Sequence, residues 1–240
     1  MKGKHSRYLG MSSGLGMVVL LLGFGLLLMP HKSGRAADDR STARELVDHA
    51  TATFSDFVND PNYAWIRKNM DRATGLLIFP QVLKGSYVFA GPGGRGILMV
   101  RGLKKGDWSD PAFYTIGSET LESQIGGEGA EVLMAAMTQK AVDALLSSSF
   151  KLGRDASVAI GPIAVGAGAN TISSDIAAAD FISFAKSEGL CVNLSLEGAV
   201  VEVGESLNKT YYGENVKPAD VIAAMNNVAD ELRESLKCEC

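Results

Sequence analysis

Between residues 75 and 203 the apolar residues come in short runs separated by glycine, proline and lysine. Residues 75–79, 86–90, 96–101, 113–116, 157–160, 164–169 and 181–185 are each too short for a stable helix. They match the length of strands joined by turns. Val192, Leu194 and Leu196 alternate with Asn193, Ser195 and Glu197, the pattern of a strand with one wet face. Gly198 marks a bend before a last run over 199–203. Residues 130–137 are apolar but for Glu131 and fit a buried strand or the start of a helix, and 138–146 read as helical. Twenty-seven glycines spread along the chain suit turns and bulges in such a β-rich fold.

Helical periodicity brackets this block. Over 41–58, Ala43, Leu46, Val47, Ala50, Phe54, Phe57 and Val58 recur at steps of three and four. Ser41 suits the N-cap and Asp60-Pro61 the end. A short helix over 62–71 carries Trp65, Ile66 and Met70. A final helix opens at Pro218 and keeps Val221, Ile222, Met225, Val228, Leu232 and Leu236 on one stripe. The expected fold is α+β: a mainly antiparallel sheet or barrel-like core with N-terminal and C-terminal helices.

Residues 1–36 have the layout of a secretory signal peptide, with an uncleaved anchor as the alternative. Lys2, Lys4 and Arg7 precede an apolar stretch over 15–29, and Gly34-Arg35-Ala36 offers small residues to a signal peptidase. This fifteen-residue core of apolar residues and glycine falls short of the roughly 20 a spanning helix needs. The expectation is an exported protein of the periplasm or cell envelope, with residues 37–240 as one domain.

Charge is unevenly distributed. Residues 37–240 hold 18 basic and 27 acidic residues, net −9. Such a body does not bind nucleic acid or anionic membrane through overall charge. Residues 62–106 run against the trend, with Arg67, Lys68, Arg72, Lys84, Arg95, Arg101, Lys104 and Lys105 against Asp71 alone. Trp65 stands at the edge of this basic segment. Lysine and arginine near an anionic bilayer add about 1 kcal/mol each, and an indole suits the headgroup level. Solvated cations over a core tryptophan are the plainer reading.

Catalytic chemistry has little to work with. The three histidines are His5 and His31 in the leader and His49 on the polar side of the first helix. Nucleophilic sites of the Ser-His or Cys-His kind need an imidazole beside the nucleophile. One histidine after the leader and the cysteines Cys191, Cys238 and Cys240 make a zinc site improbable, and no cofactor is expected. Gly91-Pro92-Gly93-Gly94-Arg95-Gly96 contains a G-x-G-x-x-G string. Residues 97–100 read as a strand where a dinucleotide site requires a helix, so the string is expected to be a hairpin turn. Asp107 with Asp110, and Glu128 with Glu131, are carboxylate pairs of the sort that surface acids form by chance.

Several stretches together resemble the SYLF domain family. They are Ala73-Thr74-Gly75-Leu76-Leu77-Ile78-Phe79-Pro80, Lys84-Gly85 leading to Gly93-Gly94-Arg95-Gly96, and Trp108-Ser109-Asp110-Pro111-Ala112-Phe113-Tyr114. Gln124-Ile125-Gly126, Lys151-Leu152-Gly153, Gly161-Pro162, Ser195-Leu196-Glu197-Gly198, and Asn208 with Tyr211-Tyr212-Gly213 follow in order. The resemblance implies phospholipid binding, often of phosphoinositides in eukaryotic members. It also implies no catalytic residues, and actin binding in some eukaryotic members only. Residues 118–123 depart from the family pattern by supplying acids and no glycine. The expected function is a non-enzymatic, peripheral phospholipid-binding module. Its candidate contacts are Trp65, Arg67, Lys68, Arg72, Lys84, Arg95, Arg101, Lys104 and Lys105. The alternative is an envelope protein that binds another protein and no lipid.

Overall fold

Helix α1 (Ser33–Asn59) lays one apolar stripe on a curled sheet, and that contact organises the fold. The computed structural model describes residues 33–83, 93–102, 108–117, 129–164, 174–187, 189–214 and 216–223. Ala43, Val47, Ala50, Phe54, Phe57 and Val58 of α1 are buried, the stripe expected from the sequence. The helix begins earlier than expected, so Ser41 lies inside it and is not its cap. Nothing between Ala36 and Asn59 breaks a helix, since neither glycine nor proline occurs there. The candidate cleavage point after Ala36 falls in the first turn, while the apolar stretch 15–29 lies outside the described residues. No helix among the described residues is long and apolar enough to cross a membrane.

After α1 come a 3-10 turn (Pro61–Tyr63), α2 (Ala64–Asn69) and a second 3-10 turn (Met70–Arg72). Among the described residues nine strands follow: β1 (Gly75–Leu83), β2 (Gly93–Val100), β3 (Ala112–Gly117), β4 (Ala130–Ala136), β5 (Ser149–Lys151), β6 (Val158–Ile160), β7 (Phe181–Ser187), β8 (Leu190–Val192) and β9 (Val200–Val203). Between and after them are α3 (Gln139–Leu145), α4 (Ser174–Ala178), α5 (Glu205–Tyr212) and α6 (Pro218–Ala223). The sheet order is β5-β9-β3-β2-β1-β4-β7-β6, with β8 on β7. All pairs are antiparallel except β6 with β7. Phe150 on β5 stacks on Phe181 on β7, centroids 5.6 Å apart. Those strands lie near opposite ends of the order, so the sheet curls until its ends meet. This is an α+β fold with a barrel-like core.

Strand alternation divides the apolar residues into two cores. Leu77, Phe79, Leu98, Tyr114, Met134 and Val201 point into the curl, where they meet Leu194 and Leu196. Leu76, Ile78, Ile97, Met99, Leu133 and Phe184 point outward to α1 and α2. The central strand β1 interrupts this alternation with a bulge. Ile78 pairs with Ile97 and Gln81 with Arg95, so three steps on β1 match two on β2. The same extra residue appears against β4 between Phe79 and Val82. Pro80 sits at this place, where its missing N–H leaves no ladder bond unmade. Glycines accommodate it on β2. A Cβ on Gly94 would lie 2.3 Å from the Gln81 carbonyl oxygen, and one on Gly96 2.4 Å from that of Ile78.

Several expectations are corrected. Gly93–Gly96 are strand residues of β2 and not a hairpin turn, because the bulge needs backbone without side chains there. Residues 130–136 form a strand, β4. Only Leu190–Val192 is strand in the run through 197; Leu194 and Leu196 are buried and Asn193 and Glu197 exposed, so the alternation holds without a ladder. Residues 86–90 and 165–169 lie outside the described residues. Helix α5 was not expected. Gly213 ends it in a left-handed conformation, φ 84°. Its buried Asn208 accepts from the Phe113 N–H and donates to the carbonyls of Phe113 and Gly204, tying α5 to β3.

The buried Asp180 fastens one end of the sheet. Its carboxylate accepts from Thr138 Oγ1 at 2.7 Å, from Ser157 N–H and Oγ at 2.9 Å each, and from Lys140 Nζ at 3.2 Å. Thr138 is also the N-cap of α3. Burial alone would raise the acid's pKa; the hydrogen bonds from Thr138, Ser157 and Lys140 outweigh it and bring it from 3.8 to about 2. A depressed folded-state pKa stabilises above the unfolded value and loses that stability as pH falls through the folded one. Asp180→Asn is therefore expected to cost about 2 kcal/mol near neutral pH in urea unfolding. The native protein should lose a similar increment between about pH 4 and pH 2 while the variant does not.

Candidate functional site

The connection from α1 to β1 holds most of the described basic candidates, and the structure divides them by role. Asp60 caps the first 3-10 turn by accepting from the Asn62 N–H at 2.9 Å. Arg67 folds back and donates to the carbonyls of Val58 and Asp60, at the C-terminal end of α1. The Val58 carbonyl has no helical partner, so the guanidinium satisfies it, while the Asp60 carbonyl also accepts from the Tyr63 N–H at 3.1 Å. Arg101, just past β2, donates to the Ala73 carbonyl at 2.7 Å and to that of Met70. Its guanidinium also lies 4.5 Å from the ring centroid of buried Trp108. Burial lowers the Arg101 pKa, with Asp71 opposing.

Lys68 and Arg72 remain exposed. Arg72 reaches Asn69 Oδ1 at 3.2 Å, and Lys68 makes no hydrogen bond or ion pair among the described residues. Trp65 is half-buried, with its ring 5.5 Å from that of Phe184. Arg67, Lys68, Arg72 and Arg101 are thus brought together around residues 60–73. Arg95 is not with them: six residues of strand place it roughly 20 Å from Arg101. Lys84, Lys104 and Lys105 lie outside the described residues.

Beneath the connection is a cluster that sequence reasoning missed. Lys186 on β7 is 6% exposed. Its Nζ is 3.1 Å from Asp60 Oδ2 and donates to the Asp56 carbonyl at 2.9 Å. The rings of Phe57 and Tyr63 stand 5.1 and 5.4 Å away. Burial opposes ionisation of Asp60, but the Asn62 backbone N–H and Lys186 lower its pKa. Tyr63 donates to the Ala185 carbonyl at 2.6 Å, and burial raises its pKa, with Cys191 adding to the effect. Lysine in an otherwise apolar β run was the one available signal.

A groove follows α1 over the β1 bulge. One cavity, about 290 Å³, lies between Glu45, Leu46 and His49 of α1, Pro80 and Leu83 of β1, and Arg95 of β2. A second, about 380 Å³, shares Pro80 and continues past Glu131 and Lys186. His49 is exposed at the rim of the first. Glu131 accepts from Thr53 at 2.9 Å, Asp110 is buried, and Asp107 and Glu128 lie outside the described residues. Among the described residues no group of three or more His, Cys, Asp or Glu is placed to hold a metal ion.

The division of labour among the cations is measurable. Arg67→Ala is expected to lower the unfolding free energy by about 1–3 kcal/mol, because it strands the Val58 carbonyl at the end of α1. Lys68→Ala and Arg72→Ala should each stay within about 0.5 kcal/mol of the native protein in the same titration.

The sequence is similar to proteins of one family. Residues 118–238 match the family model described as Ysc84, Las17-binding protein actin regulator. The chain is 31% identical to LAS seventeen-binding protein 3 of Saccharomyces cerevisiae over 147 residues, 61% of this chain and 32% of that protein. It is 29% identical to Protein YSC84 of the same yeast over 61% of this chain and 31% of that one. It is also 29% identical to SH3 domain-containing YSC84-like protein 1 of Mus musculus, over 63% of this chain and 44% of that protein. The chain spans about a third of the yeast relatives and under half of the mouse one. The family model's description speaks of a binding protein and regulator, and the first yeast relative is a binding protein by name. With half its length matched by the family model, the chain belongs to the Ysc84 family, the group that carries the SYLF domain.

Proposed function

We propose that the protein is a non-catalytic module that docks on anionic phospholipid surfaces through the connection 60–73. The observation that carries this reading is the pairing of exposed Lys68 and Arg72 with a rigid base. Arg67 and Arg101 hold that base by binding backbone carbonyls, so the two exposed cations are presented without ordering a mobile segment at docking. Trp65, half-buried against Phe184, offers an edge at the interface and not an inserting wedge. Lys104 and Lys105, between Arg101 and Trp108 in the chain, extend the same basic segment in sequence. Export to the periplasm or envelope is proposed from the leader-like residues 1–36.

A protein partner is the second reading. The relatives' names favour it, since two of them are binding or SH3-containing proteins by name.

Two cations at about 1 kcal/mol each set the expected effect. Lys68→Gln with Arg72→Gln should weaken co-sedimentation with phosphatidylglycerol-containing vesicles about 30-fold. Rising salt should weaken native binding in the same way. Equal binding to neutral and anionic vesicles, or none to either, removes the electrostatic mechanism and leaves the protein-partner reading.

A further inference from the structure

The groove between α1 and the β1 bulge differs in charge from the docking surface. Arg95 stands on its β2 wall and Glu45 on its α1 wall. Neither makes a hydrogen bond or ion pair among the described residues, although both face one cavity of about 290 Å³. Farther along, Lys186 is already neutralised by Asp60, and Glu131 adds another carboxylate. A simple anion would meet one guanidinium and at least two carboxylates here. A ligand with a negative and a positive end meets an opposite charge at each.

Other features narrow the class. A guanidinium forks onto phosphate through two parallel donors. Glu45 accepts hydrogen bonds from a primary ammonium. A quaternary ammonium has none to give and is usually held by aromatic faces, yet no Phe, Tyr or Trp lines the cavity among the described residues. Leu46, Pro80 and Leu83 supply apolar wall for hydrocarbon next to the charged ends.

We propose that this groove binds the headgroup of one zwitterionic aminophospholipid, with phosphate on Arg95 and the primary amine on Glu45. The proposal rests on the reading that the protein works at a phospholipid surface, but uses different residues. Lys68 and Arg72 read the charge of the bilayer, and Arg95 with Glu45 read one molecule in it.

The test uses the full chain and two vesicle types of equal phosphatidylglycerol content, one filled out with phosphatidylcholine and the other with phosphatidylethanolamine. Native protein should bind the phosphatidylethanolamine vesicles about tenfold more tightly, the worth of one charge-assisted hydrogen bond. Glu45→Gln should abolish that preference, bringing the phosphatidylethanolamine vesicles down to the phosphatidylcholine ones, and Arg95→Gln, which removes the partner of the phosphate, should weaken binding to the phosphatidylethanolamine vesicles. Free phosphoethanolamine should compete only at far higher concentration, which distinguishes a lipid from a soluble zwitterion as the ligand; competition at equal concentration would overturn the lipid assignment. Equal native binding to both vesicles, or a preference that survives Glu45→Gln, overturns the groove proposal and leaves the docking surface standing. Failure to bind either vesicle overturns both.

Discussion

The close approach of β1 and β2 at the Pro80 bulge sets the geometry of the outer face. One extra residue in the central strand changes its parity, so Val82 points into the curl together with Phe79. Pro80 is left over the groove, and Gln81 beside it is exposed. The bulge closes only because Gly94 and Gly96 present bare backbone to the carbonyls of Gln81 and Ile78. A bulge also increases local twist, in keeping with a sheet whose two ends meet at Phe150 and Phe181. The groove floor, the position of Arg95 and the seat of α1 all depend on this contact.

Much of this was legible in the sequence, and the failures have physical causes. The α1 stripe was read correctly because one face packs on one surface, so burial follows the helical period. The strands 75–79, 113–116, 181–185 and 199–203 were legible as short apolar runs. The string from Gly93 to Gly96 was misread because glycine signals both turns and close backbone approach, and a neighbouring strand far off in register decides which. Helix α5 was missed because its residues are mostly polar and it is held by contacts distant in sequence, among them buried Asn208 on Phe113 and Tyr212 on Pro111. Its stop signal, Gly213, was available.

The basic segment shows why a charge count does not make a site. Eight cations against one acid suggested a uniform patch. The structure employs Arg67 and Arg101 as backbone clamps, sends Arg95 to a separate groove, and leaves Lys68 and Arg72 exposed. Lys186, which lies outside that segment, meets Asp60 across 126 residues of chain, and no local pattern announces such a pair. Removing one partner of a buried ion pair is costlier than never having it, so Lys186 and Asp60 constrain each other. The buried polar groups of this Ysc84-family chain are spent on holding the connection and one end of the sheet.

The dependence of the fold on the β1–β2 contact is tested most directly by comparing alanine substitutions at two β-strand glycines. A Cβ at Gly75 meets its neighbours at 3.4 Å or more, an ordinary contact, whereas at Gly96 it meets the Ile78 carbonyl oxygen at 2.4 Å. Urea unfolding of Gly75→Ala should fall within about 1 kcal/mol of the native protein, and Gly96→Ala should lose about 3 kcal/mol or fail to fold. Equal stability of the two variants would contradict a sheet built on that approach.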